Sequence, residues 1–185
     1  MESWYVPDTT FYMQEYEEGV SGGCSIDGVP PFEWVIKKSS DLFAGKKVVV
    51  FALPGAFTPT CSSQQLPGFE KNYEEFKKLG VDEIYCTSVN DAFVMRSWAE
   101  DQGLKNVKML PDGNGDFAEA MGMLCDKSNI GFGKRSWRYA IVIDDLKIVH
   151  NFMEAGWSED LHPVDPFEVS SAENVLSRLK NEVGS

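Results

Sequence analysis

The chain has 185 residues, of which 43% are hydrophobic, and it carries 29 acidic against 17 basic residues for a net charge of −12. This length predicts one domain over 1–185 that buries about 70% of its unfolded surface. The acidic balance argues against nucleic-acid binding and against anionic membrane surfaces. No stretch approaches the roughly 18 apolar residues of a membrane span, and the N-terminus lacks a secretory signal pattern.

The strand signals are short apolar or alternating runs bounded by turn residues. They occur at residues 10–17, 33–37, 47–53, 84–89, 107–110, 138–143 and 147–153. The last two predict a hairpin across Asp144-Asp145. Residues 1–30 are expected to form a poorly defined N-terminal extension, in which Gly19–Gly23 suggests a flexible loop.

The helix signals lie between these strands and at the C-terminal end. The helix after Cys61 contains Pro67, which predicts a kink or break before Phe69. Further helix boundaries are predicted at Gly80, Asn90 or Asp91, Gly103 and Met121, and the last helix follows a capping box at Ser170 and Glu173. Strands alternating with helices, followed by a hairpin and a final helix, indicate an α/β fold with a mixed central sheet flanked by helices.

The most informative segment runs from Pro54 to Ser63 and reads PGAFTPTCSS. It lies between the apolar strand at 47–53 and a run of aromatic residues at helical spacing. Pro59 cannot donate a backbone hydrogen bond and therefore suits a helix entry. The pattern predicts that Cys61 lies in a first helical turn, where free N–H groups and the helix dipole favour an anion.

A cysteine at such a junction is a nucleophile only when it is ionised. An ordinary thiol with a pKa near 8.5 is about 3% thiolate at pH 7, and ionising most of it requires about 4 kcal/mol. A helix N-terminus supplies about 2 kcal/mol at best. A second partner is therefore required, such as an arginine bond worth roughly 1.5–3 kcal/mol, and the Thr58 hydroxyl is a further candidate. These residues alone also allow Cys61 to be a small buried hydrophobe.

The spacing of Pro54, Thr58 and Cys61 resembles the P-x-x-x-T-x-x-C motif of peroxiredoxins. The nine residues that begin at Pro54 have the form seen in the peroxiredoxin-5 (type II) branch. Further segments similar to that branch lie at residues 88–95, 110–115, 131–139 and 165–172. The chain is most similar to bacterial type II enzymes and to the peroxidase half of peroxiredoxin–glutaredoxin fusions.

The resemblance implies a thioredoxin-like fold and a thiol peroxidase that reduces hydrogen peroxide and organic hydroperoxides. Cys61 would be the peroxidatic cysteine that cycles through sulfenic acid, with Thr58 and Pro54 beside it. Arg138 would complete the site, because it directly precedes the aromatic residue that begins a late strand. Arg135 is instead expected to extend its side chain from a strand edge.

Three aromatic residues, Phe57, Phe132 and Trp137, either line an apolar mouth for organic hydroperoxides or belong to the core, and the sequence leaves both open. No bound cofactor is expected. With no C-x-x-C pair and only two histidines, a zinc site is not expected either.

The remaining cysteines, Cys24, Cys86 and Cys125, decide how the enzyme would be recycled. Cys86 lies close to the spacing of a second cysteine in plant type II members, but its strand context also suits a structural role. The late loop over 154–163, where some members of the branch carry a resolving cysteine, contains none. We therefore expect a one-cysteine cycle recycled by glutathione or glutaredoxin. The alternative is a thioredoxin-recycled enzyme that resolves through Cys86.

Two other functions are open from the residues. One is a cysteine-based redox sensor or interaction module, and the other is a thiol–disulfide oxidoreductase, against which Thr58 argues because it stands where a second thiol would be needed. The reduced cysteines suit a cytoplasmic setting. The family often forms dimers through the edge around the active-site loop, so a homodimer is expected.

Overall fold

The structure, a computed structural model, describes residues 4–16, 32–157 and 165–183. Its strands are β1 (Thr10–Tyr16), β2 (Phe32–Lys38), β3 (Lys47–Ala52), β4 (Glu83–Ser88), β5 (Lys108–Pro111), β6 (Leu124–Asp126), β7 (Lys134–Ser136), β8 (Tyr139–Asp144) and β9 (Lys147–Met153). Its helices are α1 (Ser39–Phe43), α2 (Leu66–Lys71), α3 (Tyr73–Lys78), α4 (Ala92–Asp101), α5 (Asp116–Ala120) and α6 (Ala172–Val183). A π-helical turn, Cys61–Gln65, leads into α2, and a short 3₁₀ turn spans Ser128–Ile130.

The central sheet has five strands in the order β5-β4-β3-β8-β9. Strands β3, β4 and β5 run parallel, whereas β8 is antiparallel to both β3 and β9. A separate hairpin pairs β1 with β2, and a small antiparallel pair joins β6 and β7. The predicted mixed sheet flanked by helices is confirmed.

The two faces of this sheet carry two apolar clusters. Side chains alternate along β3, so Val49 and Phe51 enter one cluster while Val48 and Val50 enter the other. The first cluster also contains Cys61 and buried residues from α2, α3, α4 and α6; the second contains residues from β1 and α5. The functional segment therefore lies on one face of the sheet, beside the C-terminal end of β3.

Several predicted helix boundaries agree with the structure. Asp91 caps α4, since its carboxylate accepts the Val94 N–H at 2.9 Å. Gly80 follows α3 with a left-handed φ of 81°. The predicted kink or break before Phe69 is not present: the backbone stays helical from the π-helical turn into α2, with Pro67 in the first turn of α2, and the interruption lies at Asn72 instead.

Other local predictions are corrected. The hairpin turn between β8 and β9 is formed by Asp145 and Leu146, whose φ values are 45° and 69°, whereas Asp144 still belongs to β8. The cap of α6 is Ser171, whose hydroxyl accepts the Asn174 N–H at 3.3 Å. Ser170 cannot cap this helix because its hydroxyl is directed to Glu154. The sequence signals did not predict α1, β6 or β7.

Three predictions concern residues outside the described part of the chain: the flexible loop at Gly19–Gly23, the role of Cys24, and most of the late loop around His162. Within the described ranges, none of the helices has the length and apolar character needed to cross a membrane.

Candidate active site

A short loop carries the chain from β3 to the π-helical turn. Pro54 and Gly55 at its start are buried, and Phe57 adopts a left-handed φ of 61° that directs its ring outward. The Ala56 N–H donates to Asn90 Oδ1 at 3.0 Å, so this loop is anchored to the loop after β4. A left-handed backbone at a non-glycine residue such as Phe57 is uncommon, and it persists where the surrounding structure fixes it, which is frequent at functional sites.

Cys61 and Arg138 meet in a buried position. The Nη2 group of Arg138 donates to Cys61 Sγ at 3.5 Å, and neither residue has exposed surface. Arg138 directly precedes β8, which pairs with β3, and Cys61 follows the loop at the end of β3. The sheet therefore brings together two residues that are 77 positions apart.

The π-helical turn adds Gln65 to the same guanidinium. In this turn the Leu66 N–H bonds to the Cys61 carbonyl, one residue further back than in an α-helix. Gln65 Oε1 accepts from Arg138 Nη1 at 2.5 Å, while Cys61 accepts from Nη2. The widened turn thus directs two side chains of one segment at one arginine.

Asp165 holds the remaining edge of Arg138. Its two carboxylate oxygens lie 2.7 Å from Nη2, and Oδ1 also accepts from Nε at 3.2 Å. The ring of Phe167 lies 5.7 Å from the guanidinium carbon. Burial alone would lower the pKa of Arg138, but the adjacent Cys61 and Asp165 raise it above its ordinary value. The cation therefore persists although it is enclosed.

The buried carboxylate of Glu154 is linked to Gln65 through the Ser170 hydroxyl. Glu154 Oε1 accepts the Ser170 hydroxyl at 2.7 Å and the backbone N–H groups of Glu168 and Ser170, and the Ser170 hydroxyl oxygen accepts from Gln65 Nε2 at 3.4 Å. Burial alone would raise the pKa of Glu154, but these donors, the Ser170 N–H first, hold it below its ordinary value.

Thr58 and Pro54 lie in the same loop as Cys61. The Thr58 hydroxyl donates to the Gly55 carbonyl at 2.7 Å, and the Thr58 carbonyl accepts the Ser62 N–H at 3.0 Å. With its proton directed to the backbone, the hydroxyl presents oxygen lone pairs as acceptors. This differs from the expected direct bond between Thr58 and the Cys61 thiol.

Arg135 braces the loop rather than simply extending from a strand edge. It is half-buried, it donates from Nε to the Phe132 carbonyl at 3.0 Å, and Nη1 lies 3.4 Å from the Pro54 carbonyl. A Cβ at Gly55 would come within 2.9 Å of Nη1 and 3.2 Å of the Thr58 methyl group. Glycine at this position therefore permits the close approach of Arg135.

The apolar mouth is only partly present. Phe57 is 53% exposed and its ring lies 6.5 Å from that of Trp98, and Phe132 is half-buried against Arg135. Trp137 does not line the mouth. It belongs to the cluster on the other face of the sheet, and its indole N–H donates to the Glu154 carbonyl at 2.9 Å.

Three cysteines in the described ranges, Cys61, Cys86 and Cys125, are free thiols. Cys86 lies within β4, where burial first and the nearby Cys61 second raise its pKa well above the ordinary value. Cys125 donates to the Arg135 carbonyl at 3.4 Å, and burial raises its pKa as well. The described residues contain no cluster of three or more side chains suited to hold a metal ion.

Sequence reasoning missed Gln65, Asp165 and Glu154. Gln65 lies four residues from Cys61, a spacing that an ordinary α-helix also gives, so the sequence carries no signal that its side chain bonds to Arg138. Asp165 lies in a segment of family resemblance, but its ion pair with Arg138 joins residues 27 positions apart, which local spacing does not reveal.

Comparison with known proteins identifies the class. The Redoxin family model matches residues 37–176. A peroxiredoxin of Rhizobium etli is 52% identical over 175 residues, covering 95% of this chain and 94% of that protein. A hybrid peroxiredoxin, hyPrx5, of Haemophilus influenzae is 44% identical over 97% of this chain and 66% of its own length.

Solved structures agree with these relatives. The Plasmodium falciparum antioxidant protein, described as a 1-Cys peroxiredoxin, superposes with a TM-score of 0.85 at 34% identity over 97% of this chain and 99% of its own. Reduced Prx3 of Vibrio vulnificus in complex with hydrogen peroxide gives a TM-score of 0.80 at 37% identity over 100% and 99%. The thioredoxin-like fold is confirmed. The chain belongs to the Redoxin family and, within it, to the type II branch of the peroxiredoxins, which are thiol peroxidases.

Proposed function

We propose that Cys61 is the peroxidatic cysteine, that Arg138, Thr58 and Pro54 complete its site, and that glutathione or glutaredoxin reduces the oxidised enzyme. The observation that carries the assignment is the Arg138 guanidinium beside Cys61 Sγ, 3.5 Å from it and closed off from solvent. A buried cation beside a thiol favours the thiolate, which is the nucleophilic form.

In the first step, the Cys61 thiolate attacks the nearer oxygen of a hydroperoxide. A sulfur–oxygen bond forms while the oxygen–oxygen bond breaks, so sulfur is oxidised by two electrons to sulfenic acid. The distal oxygen leaves with the electron pair and takes up a proton to give water or an alcohol. Arg138 stabilises the negative charge that moves from sulfur to the leaving oxygen, because a fixed cation in a dry site needs no reorganisation.

Thr58 and Pro54 shape the space above the sulfur. The Thr58 hydroxyl oxygen accepts a hydrogen bond from the hydroperoxide O–H, since its own proton is donated to the Gly55 carbonyl. Buried Pro54 excludes water from this wall of the site and has no N–H to compete for the substrate. Hydrogen peroxide and alkyl hydroperoxides are the substrates of the proposed reaction.

In the second step, a thiol attacks the sulfenic sulfur and water leaves, which gives a mixed disulfide; a second thiol then releases Cys61. Cys86 is a poor candidate for this attack, because it is fully buried in β4 and its pKa is raised. The 1-Cys description of the Plasmodium falciparum protein and the hybrid nature of hyPrx5 support an external thiol donor.

Glutathione is anionic, whereas this chain has a net charge of −12. Docking therefore requires local positive charge. Arg135 supplies it beside the Pro54 carbonyl. The free cysteines suit the reducing cytoplasm in which glutathione is abundant.

The proposal includes a homodimer formed through the edge around the active-site loop. The support is a set of exposed aromatic side chains: Phe57 is 53% exposed, Phe93 is 51% exposed, and Trp34 packs edge-on against Phe93. Analytical ultracentrifugation of Phe93→Glu tests it, with exposed Val149→Glu on β9 as the matched control. Dissociation in the first variant alone is expected.

The recycling experiment measures steady-state hydrogen peroxide consumption with glutathione, glutathione plus glutaredoxin, or thioredoxin plus its reductase. Cys86→Ser and Cys86→Ala are assayed in parallel. Turnover with glutathione or glutaredoxin that survives both substitutions is expected. Turnover with thioredoxin that vanishes in both would make Cys86 the resolving residue. Stoichiometric oxidation of Cys61 without turnover would favour a redox sensor.

A further inference from the structure

Among the described residues whose side chains bond to Arg138, namely Cys61, Gln65 and Asp165, Asp165 is the solvent-accessible one. Its side chain is 40% exposed, whereas that of Arg138 is 1% exposed and Cys61 and Gln65 are fully buried. Its ion pair with Arg138 is therefore the point at which water, salt and solutes reach an otherwise enclosed cation.

The geometry sets Asp165 in competition with Cys61. Nη2 of Arg138 carries two N–H donors but faces three acceptors: two Asp165 oxygens at 2.7 Å and Cys61 Sγ at 3.5 Å. The carboxylate contacts are the shorter ones, so Asp165 takes the larger share of this nitrogen. Gln65 accepts from Nη1, so both terminal nitrogens of the guanidinium have partners and its orientation is fixed.

We propose that Asp165 is a positioning residue of the peroxide site, which fixes Arg138 and limits how much of its charge acts on Cys61. The inference rests on the proposed roles of Cys61 and Arg138. Without Asp165, the Cys61 thiolate would be the anion nearest to the enclosed guanidinium. The unshared positive charge would then favour the thiolate of Cys61 over its thiol more strongly. The carboxylate thereby sets the pH range in which Cys61 reacts.

Among the described residues, four other charged or titratable groups lie near this cluster. Glu154 accepts from Ser170, which in turn accepts from Gln65, and Arg135 faces the Pro54 carbonyl. Cys86 lies in β4 with its pKa raised by burial and by Cys61, and the pKa of Cys125 is raised by burial first and also by Asp126 and Asp165. Among the described residues that contact Arg138, Asp165 is the carboxylate.

The test measures the pH dependence of Cys61 alkylation by iodoacetamide, followed by mass spectrometry of the Cys61 peptide, together with the rate constant for hydrogen peroxide. Asp165→Asn keeps the shape and removes the charge, and Asp165→Glu keeps the charge. Glu168→Gln is the matched control, because it removes a negative charge from the same segment while the Glu168 contact to Glu154 is made by its backbone N–H.

The alkylation midpoint is expected to move to lower pH by about half to one unit in Asp165→Asn, and to stay in place in Asp165→Glu and Glu168→Gln. The peroxide rate constant at the plateau of the profile is expected to fall several-fold in Asp165→Asn and to recover in Asp165→Glu. An unmoved midpoint, or a move to higher pH, in Asp165→Asn would overturn the proposal. Because alkylation reports on Cys61 itself, this result is separate from whether Cys61 carries the peroxidase reaction.

Discussion

Two cysteines of the same apolar cluster, of which we propose only Cys61 to be reactive, differ in their polar partners. Cys61 and Cys86 both have no exposed surface, both are free, and both pack in the cluster on one face of the sheet. Cys86 lies in the middle of β4 among apolar neighbours, and burial raises its pKa. Cys61 lies just outside β3 and shares Arg138 with Gln65 and Asp165.

The difference arises from position relative to the strand ends, not from burial. Cys86, inside β4, is paired with Phe51 of β3 and Met109 of β5, which are both apolar. A residue beyond the strand end meets the loops and the first residues of adjacent strands, where polar groups enter without breaking the sheet. Arg138 enters there because it precedes β8, the antiparallel neighbour of β3.

The largest difference between the two cysteines is expected in peroxide reduction when each sulfur is removed in turn. Cys61→Ser is expected to reduce peroxide consumption to the level of buffer, because serine is not ionised near neutral pH and cannot form sulfenic acid. Cys86→Ala is expected to retain the wild-type rate constant within about twofold, because in the proposed cycle the Cys86 thiol takes no part in the first oxidation step. Stopped-flow measurement of the first oxidation step decides it. Full activity in Cys61→Ser would reverse the assignment of the two cysteines.

The next largest effect is expected from the cation that distinguishes them. Arg138→Lys should lower the rate constant for hydrogen peroxide by about two orders of magnitude, because lysine cannot hold Cys61, Gln65 and Asp165 with one planar fork. Arg135→Lys is the matched control, since Arg135 contacts backbone carbonyls of the loop. A larger loss in Arg135→Lys than in Arg138→Lys would contradict the role given to Arg138.

A smaller effect is expected from Thr58. Thr58→Val preserves the shape of the side chain and removes the hydroxyl, so the rate constant should fall by about an order of magnitude. Thr60→Val is the control, because the Thr60 side chain makes no capping bond in the turn. The two variants are compared under single-turnover conditions. Equal rates in both would remove Thr58 from the site.

The sequence predicted what local patterns govern. The apolar run of β3, the Asp91 cap and the helix entry at Pro59 follow from composition and spacing alone. The pairing of Cys61 with Arg138 required family resemblance, because it depends on strand order. The contacts of Gln65 and Asp165 with Arg138 could not be predicted from the sequence. The first depends on the register of the π-helical turn, and the second joins two segments that are distant in the chain.

The smallest expected effect is on stability, and it compares the surroundings of the two buried sulfur atoms. Cys86→Ser should lower the free energy of unfolding by about 1–3 kcal/mol, because its hydroxyl would be buried among apolar groups. Cys61→Ser should cost less, because Arg138 can bond to the new hydroxyl. Urea unfolding of the two variants at neutral pH measures the difference.

The last prediction concerns how the free energy of unfolding changes with pH. Because burial raises the pKa of Cys86 in the folded protein, the unfolded chain loses this proton first as the pH rises past about 8.5. Stability from this group is therefore complete below that pH and declines above it, by up to about 1.4 kcal/mol per pH unit. Cys86→Ala should remove this part of the decline. Burial also raises the pKa of Tyr85, to about 12, and the pKa of Cys125, but both residues remain in the variant and cancel in the comparison. Identical slopes in the wild type and in Cys86→Ala would mean that Cys86 ionises in the folded protein, which would place it within reach of resolving chemistry after all.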